Sequence, residues 1–215
     1  MVEFFLNNKK VVAKDDETIW SVAKREGITL PHLCFADKPG YRADGNCRAC
    51  MVSIEGERVL AASCIRKPTE GMKVLTNDER SIKSRKMVLE LLVTDQPDRD
   101  TSHDPDSHFW KIASDIDVEK SRFEKREKKI VPCEDSSHVA MSVNLDACIH
   151  CNLCVRACRE VQVNDVIGMG NRGHHSKVVF DFNDPMGDSS CVSCGECVQA
   201  CPTGALMESN LLDDN

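Results

Sequence analysis

The strongest constraint on this chain is a cysteine pattern that occurs twice. Cys148-x2-Cys151-x2-Cys154-x3-Cys158 returns with the same spacing as Cys191-x2-Cys194-x2-Cys197-x3-Cys201, followed by Pro202. Three thiols at steps of three residues can wrap one corner of a compact inorganic cubane from a single turning loop. The fourth cysteine of each run, expected to open a helix, points away toward a second site. Structural zinc competes for such pairs, but it is usually built from two separated C-x2-C units completing one tetrahedron. Here each half supplies four cysteines within eleven residues, which favours iron–sulfur ligation. The first run departs from the pattern in one respect: Arg159 follows Cys158 where the second run has proline.

The spacing leads to a crossed assignment, as in two-cluster ferredoxins, where the last cysteine of each run serves the other site. Cys148, Cys151, Cys154 and Cys201 are expected to hold one [4Fe–4S] cluster, and Cys158, Cys191, Cys194 and Cys197 the second. A further set, Cys34-x12-Cys47-x2-Cys50-x13-Cys64, offers the four thiolates a [2Fe–2S] cluster needs, two per iron. The loop from Tyr41 to Asn46 can lay backbone N–H groups against bridging sulfides, with Gly45 permitting close approach. This spacing is not the plant-type one, and zinc stays open as its alternative. The chain has 13 cysteines in all, an odd number that intrachain disulfides cannot use up. A reducing compartment disfavours them as well. Cys133, the remainder, reads as a structural or incidental thiol.

Composition narrows the function classes. Lys and Arg number 28 against 35 Asp and Glu, a net charge of -7, which argues against a nucleic-acid binder. No run of 18 apolar residues is available to cross a membrane, and the apolar stretch Val2 to Leu6 is too short for a signal peptide. The expectation is a soluble cytoplasmic protein. Aromatic residues make up only 5% of the chain, so its apolar core should be thin.

Residues 2–6 and 10–14 read as strands joined at the turn-forming pair Asn7-Asn8. Residues 16–26 read as a helix with Asp16 as N-cap, Ile19, Trp20, Val22 and Ala23 on its apolar face, and Gly27 as its stop. Pro31, Pro39, Gly40 and Gly45 mark residues 30–46 as loop. A hairpin is expected from Cys50–Glu55 and Arg58–Ala62, then a short strand Met72–Leu75. Residues 79–93 follow as a helix burying Ile82, Met87, Val88, Leu91 and Leu92, ended by Pro97. From there to about 138 the chain is polar: residues 99–110 are turn-rich, and the mixed-charge run 119–129 reads as a solvated face or linker. The tail from Leu211 is expected to fray. The fold class is therefore α+β, with a small sheet-and-helix [2Fe–2S] domain over 1–78. A helical and irregular linker over 79–138 and a two-[4Fe–4S] ferredoxin-like domain over 139–209 follow it.

Gly168-Met169-Gly170-Asn171-Arg172-Gly173 matches G-x-G-x-x-G, but a dinucleotide fingerprint needs a helix directly after it. Lys177 to Phe182 reads instead as a strand, so these glycines should shape a hairpin between the two cysteine runs, with His174 and His175 solvated at its tip.

The strands, helix and C-x12-C-x2-C-x13-C order resemble the β-grasp [2Fe–2S] domain of the large iron–sulfur subunit of NADH dehydrogenase. The same domain occurs in diaphorase subunits of NAD-reducing hydrogenases. Residues 144–169 and 177–206 resemble the N-terminal electron-transfer region of NAD-dependent molybdenum or tungsten formate dehydrogenases. The resemblance spans residues 2–207 and implies an electron-transfer subunit with no catalytic residues of its own. It would carry one [2Fe–2S] and two [4Fe–4S] clusters. The implied partners are a flavin- and NAD-binding diaphorase-type subunit and a pterin-dependent formate dehydrogenase subunit, with a hydrogenase as the alternative to the latter. Neither nucleic acid nor membrane is among the expected partners. A redox-responsive binding protein is a further alternative, but no basic recognition helix accompanies the cysteines. Two departures stand out. Relatives often carry a third [4Fe–4S] cluster held by one histidine and three cysteines, yet residues 94–132 offer His103 and His108 and no cysteine. The pterin-binding region of such catalytic subunits is also not expected here.

Overall fold

The computed structural model describes residues 1–125 and 134–211, so Cys133 and the end of the charged run 119–129 lie outside the described residues. Strands β1 (Val2–Leu6) and β2 (Lys9–Ala13) form an antiparallel hairpin. Asn7 and Asn8 join them with φ of 48° and 68°, the left-handed pair that a two-residue hairpin turn requires. Alternation along the strands turns Phe4, Leu6, Val11 and Ala13 inward. Helix α1 (Ile19–Arg25) adds Ile19, Trp20, Val22 and Ala23 to the same core. Three further strands complete the sheet: β3 (Met51–Ile54), β4 (Ala61–Ala62) and β5 (Lys73–Leu75). The order is β2-β1-β5-β3-β4, with β1 and β5 parallel. Asn7 ties the hairpin turn to the end of β5 through two bonds with Thr76, at 2.7 and 2.8 Å.

Helix α1 starts later than expected. Thr18 caps it, its hydroxyl accepting from the Ser21 N–H at 3.2 Å. Asp16 sits in the preceding turn at φ 70° and pairs with Lys67. Asp16 precedes the first helical residue by three positions, too early for its carboxylate to serve as the Ncap side chain. The stop at Gly27 stands: its φ is 78°, and the N–H groups of Gly27 and Ile28 close back onto Lys24 and Ala23. The hairpin expected over 50–62 is shorter than read, because its return strand is only the pair Ala61–Ala62.

Helix α2 (Glu79–Thr94) is capped by Asp78 and locked to the sheet by Arg85, which donates to the carbonyls of Met51 and Thr76 at 2.9 and 2.6 Å. Its buried apolar residues are Leu89 and Val93, with Val88 and Leu92 alongside. Ile82 and Leu91 face outward, Leu91 half exposed, contrary to the apolar face read from the sequence. The reason lies in the segment after it, which is more than a polar linker. Helix α3 (His108–Asp115), capped by Ser107, puts Phe109, Trp110, Ile112 and Ala113 into a core with Leu33, Ala49, Leu89, Val93 and Val118. That core decides which side of α2 is dry. Residues 119–125 strap back over α2, with the Arg122 N–H on Glu90 at 3.0 Å and the Thr94 and Ser121 hydroxyls 2.7 Å apart.

The remaining elements frame the cysteine runs. Strands β6 (Glu134–Asp135), β7 (Met141–Asn144) and β10 (Leu206–Glu208) form a small sheet in the order β10-β7-β6. Strands β8 (Ile167–Gly170) and β9 (Lys177–Phe180) make the hairpin between the runs. A three-residue 3-10 turn, Gly173–His175, occupies the place where a dinucleotide fold would need a helix. Gly170 is small because a Cβ there would come within 2.7 Å of Val179. His175 is exposed at this turn. Helix α4 (Leu153–Arg156) continues into a π-turn, Ala157–Val161, and helix α5 (Glu196–Ala200) is its counterpart in the second run. The core here includes Leu153, Val166, Ile167, Phe180, Met186 and many of the cysteines. It also takes in Cys34 and Tyr41 from the long N-terminal loop.

Candidate metal centres

All twelve described cysteines are free thiols, and they gather in three groups of four. In the first group Cys34 lies in the loop after α1, Cys47 and Cys50 stand just before β3, and Cys64 follows β4. Cys34, Cys50 and Cys64 are buried and Cys47 nearly so. The Cys34 sulfur is in hydrogen-bonding contact with the thiols of Cys47 and Cys64, and Cys50 with that of Cys64. Those contacts hold the Cys34 and Cys50 thiols down and push their donors Cys47 and Cys64 up. The loop expected to cradle sulfur does so only at its end. N–H groups from Asn46 and Cys47 reach the Cys34 sulfur, the latter at 3.4 Å, and the Ala49 N–H reaches Cys47 at 3.5 Å. Gly45 sits at φ 66°, a left-handed conformation that favours glycine.

The two repeats build two cavities. Cys148, Cys151, Cys154 and Cys201 line one of them, together with Leu145, Ile149, Val178 and Leu206. Cys158, Cys191, Cys194 and Cys197 line the other, with Met141, Val166 and Ile167. Each cavity thus draws three cysteines from one run and the fourth from the other run. The fourth cysteines do not open helices, as the spacing suggested. Cys154 and Cys197 sit near the starts of α4 and α5, Cys158 lies in the π-turn, and Cys201 caps the end of α5. One helical element carries the chain from the third cysteine of each run to the fourth, which brings the fourth to the neighbouring cavity.

The repeat extends to the backbone. His150 and Asn152 have φ of 53° and 61°, and Ser193 and Gly195 have 59° and 74°. Each loop folds an N–H back onto its first sulfur: His150 onto Cys148 at 3.5 Å and Ser193 onto Cys191 at 3.4 Å. Arg48, at φ 59°, makes the same turn between Cys47 and Ala49. The Val166 N–H reaches Cys158 at 3.3 Å, and the Thr203 hydroxyl lies 3.6 Å from Cys201.

Burial pushes these thiols up: Cys148 to about 11, Cys197 to about 12, and Cys151 and Cys154 further still, with neighbouring sulfurs adding to the shift. A buried thiol that resists ionising calls for a positively charged centre to become a ligand. Sulfur-only donor sets of four, lined by apolar side chains and served by N–H donors, have the chemistry of iron–sulfur sites. Among the described residues no group of three or more His, Cys, Asp or Glu side chains is placed to hold a single metal ion.

Two histidines of the middle stretch have other neighbours. His108 Nε2 lies 3.0 Å from the His32 carbonyl. His103 Nε2 lies 3.3 Å from both Asn144 and Glu134.

Two family models match the regions that carry the cysteines. Residues 1–79 match the 2Fe-2S iron-sulfur cluster binding domain, and residues 147–205 match the 4Fe-4S dicluster domain. Over most of its length the chain is similar to parts of a subunit of the NADH-quinone oxidoreductase of Rhizobium meliloti, of putative formate dehydrogenases and of hydrogenases that reduce NAD or NADP. It is 31% identical over 97% of its length to the NADP-reducing hydrogenase subunit HndD of Solidesulfovibrio fructosivorans, covering 36% of that protein. It is 29% identical over 87% of its length to a putative formate dehydrogenase of Staphylococcus haemolyticus, covering 19% of it. A chain in the crystal structure of an NAD+-reducing [NiFe]-hydrogenase in the H2-reduced state superposes with a TM-score of 0.86 at 25% identity, over 97% of this chain and 87% of that one. The chain therefore spans little more than a third of the curated relatives' length at most, but most of the structural neighbour. No helix among the described residues is long and apolar enough to cross a membrane.

Sequence reasoning missed Arg156, which lies between Cys154 and Cys158 with its side chain buried. A lone arginine inside a cysteine run carries no signal of burial, and its partners Asp44 and Cys34 stand more than a hundred residues away.

Proposed function

We propose that the chain is an electron relay carrying one [2Fe–2S] and two [4Fe–4S] clusters. Cys34, Cys47, Cys50 and Cys64 hold the first. Cys148, Cys151, Cys154 and Cys201 hold the second, and Cys158, Cys191, Cys194 and Cys197 the third. The observation that carries this reading is the crossed pair of cavities, each closed by a cysteine from the opposite repeat. Bound there, each cluster would supply reversible uptake and release of one electron. The chain's own residues shield most of the sulfurs from water, donate N–H groups to them and hold the three sites in one body.

The relay serves a flavin- and NAD(H)-binding subunit, met by the 1–78 domain, and a molybdenum or tungsten formate dehydrogenase subunit, met by the 139–209 domain. Exposure supports the second contact, because Cys194 and Val192 bring the third site to the surface. The kinship with putative formate dehydrogenases supports the substrate. A hydrogenase partner is the second reading, favoured by the HndD kinship and by the hydrogenase fold match. A cytoplasmic setting, where thiols stay reduced, suits the free cysteines.

Anaerobic purification with iron and sulfide analysis tests the inventory. The proposal expects about ten irons per chain, with EPR signals of both cluster types. Zinc in place of iron, or about fourteen irons, would contradict it. Identifying the subunits that co-purify with the chain separates the formate dehydrogenase from the hydrogenase.

A further inference from the structure

Arg156 ends α4 between two cysteines that face different cavities, and only 2% of it is exposed. Its Nη2 donates to the Cys34 carbonyl at 2.6 Å and, more weakly, to the Cys151 carbonyl at 3.4 Å. Its Nη1 pairs with Asp44. Its Nε has no acceptor among the described residues. Asp44 also pairs with Arg42, which in turn bonds Glu160 at 3.1 Å. One guanidinium therefore joins the loop of the first sulfur group to the loop of the second. Nearby, the Tyr41 hydroxyl donates to Glu196 at 2.8 Å, adding a second tie between the same halves.

Burying a guanidinium is costly, and leaving one of its N–H groups unpaired adds to the cost. Shape alone could be supplied by an apolar side chain. What an apolar residue could not supply is a fixed positive charge beside two sulfur sites in a low-dielectric setting. A positive charge stabilises the more negative, reduced form of a neighbouring redox centre and so raises its potential.

We propose that Arg156 is a positioning residue that couples the Cys34–Cys64 site to the Cys148–Cys201 site. It clamps their two loops together and raises both potentials, and Asp44 limits the size of that effect. The inference rests on the cluster assignment above and deepens it: it names what joins two neighbouring sites whose sequence segments lie far apart.

The test uses the full chain with its clusters loaded anaerobically. EPR-monitored redox titration of the unsubstituted protein and of Arg156→Gln, Arg156→Lys and Asp44→Asn reads each cluster separately. In Arg156→Gln the [2Fe–2S] and one [4Fe–4S] signal should shift to lower potential. The expected size is on the order of tenfold in the reduced-to-oxidised ratio, about 59 mV for one electron. The other [4Fe–4S] signal should move least. Arg156→Lys should recover most of the shift, since it keeps the charge and loses only the fork. Asp44→Asn should move the same two signals upward. That opposite sign would not arise from simple loosening, and it decides the matter should Arg156→Gln fail to fold. Unchanged potentials, equal shifts in all three clusters, or a downward shift in Asp44→Asn would overturn the proposal. If the unsubstituted protein carries no iron, the relay itself has failed, and that outcome is distinct from any of these.

Discussion

The first sulfur group and the paired cavities show two ways of holding thiols in place. Around Cys34, Cys47, Cys50 and Cys64 a five-stranded sheet and α1 supply an apolar core of their own, with Phe4, Leu6, Ile19, Trp20 and Val74 fully or nearly buried. The cavities have only short strands, helices of four and five residues, and a core in which cysteines are a large share. One region can be stable and then bind its cluster. In the other, where five of the seventeen buried core residues are cysteines, the expectation is that the fold leans on what the thiols would hold.

Iron removal should separate the two most sharply. Chelation under reducing conditions, followed by amide hydrogen exchange, should cost residues 141–208 roughly tenfold or more in protection. The strands β1 and β2 and helix α1 should keep theirs within about threefold. Uniform loss across the chain would erase the distinction.

Core truncation sharpens the same contrast at a smaller scale. In iron-free protein, Phe4→Ala and Phe109→Ala should each lower unfolding free energy by about 3–5 kcal/mol in urea titrations. Leu153→Ala, in the cysteine-rich core, should change the iron-free protein little and should weaken cluster retention instead. A large apo-state effect for Leu153→Ala would show that its core stands without metal. The smallest effect concerns the start of α1. Thr18→Ala should cost about 1 kcal/mol, whereas Asp16→Ala should leave the urea midpoint nearly unchanged, because its pair with Lys67 is exposed. Equal costs would restore Asp16 as the cap.

What the sequence disclosed follows the same division. Motif spacing anticipated which cysteines would gather, because thiol position in a turning loop depends on a few neighbouring residues. The Asn7-Asn8 turn and the Gly27 stop were legible for the same local reason. The start of α1 was not, because Asp16 and Thr18 are both good caps and the choice depends on the preceding turn. Helix α3 was hidden by the His, Asp, Ser and Pro residues before it, although Phe109, Trp110, Ile112 and Ala113 share one face. With α3 unseen, nothing pointed to Leu89 and Val93 as the buried side of α2, and Ile82 and Leu91 looked equally apolar. Arg156 is the extreme case: its role depends on contacts made over 112 and 122 residues.

The loop that carries Cys34 has one more consequence. Leu33 belongs to the core of α2 and α3, Cys34 and Tyr41 belong to the core of the cysteine repeats, and Leu30 belongs to the core of the sheet. Twelve residues of irregular chain thus serve as a keystone shared by three arches. A fragment cut at the 79-residue limit of the first family match would keep its sheet but bare this stretch to water. The seam drawn by sequence families is therefore not a seam along which the folded molecule can be taken apart.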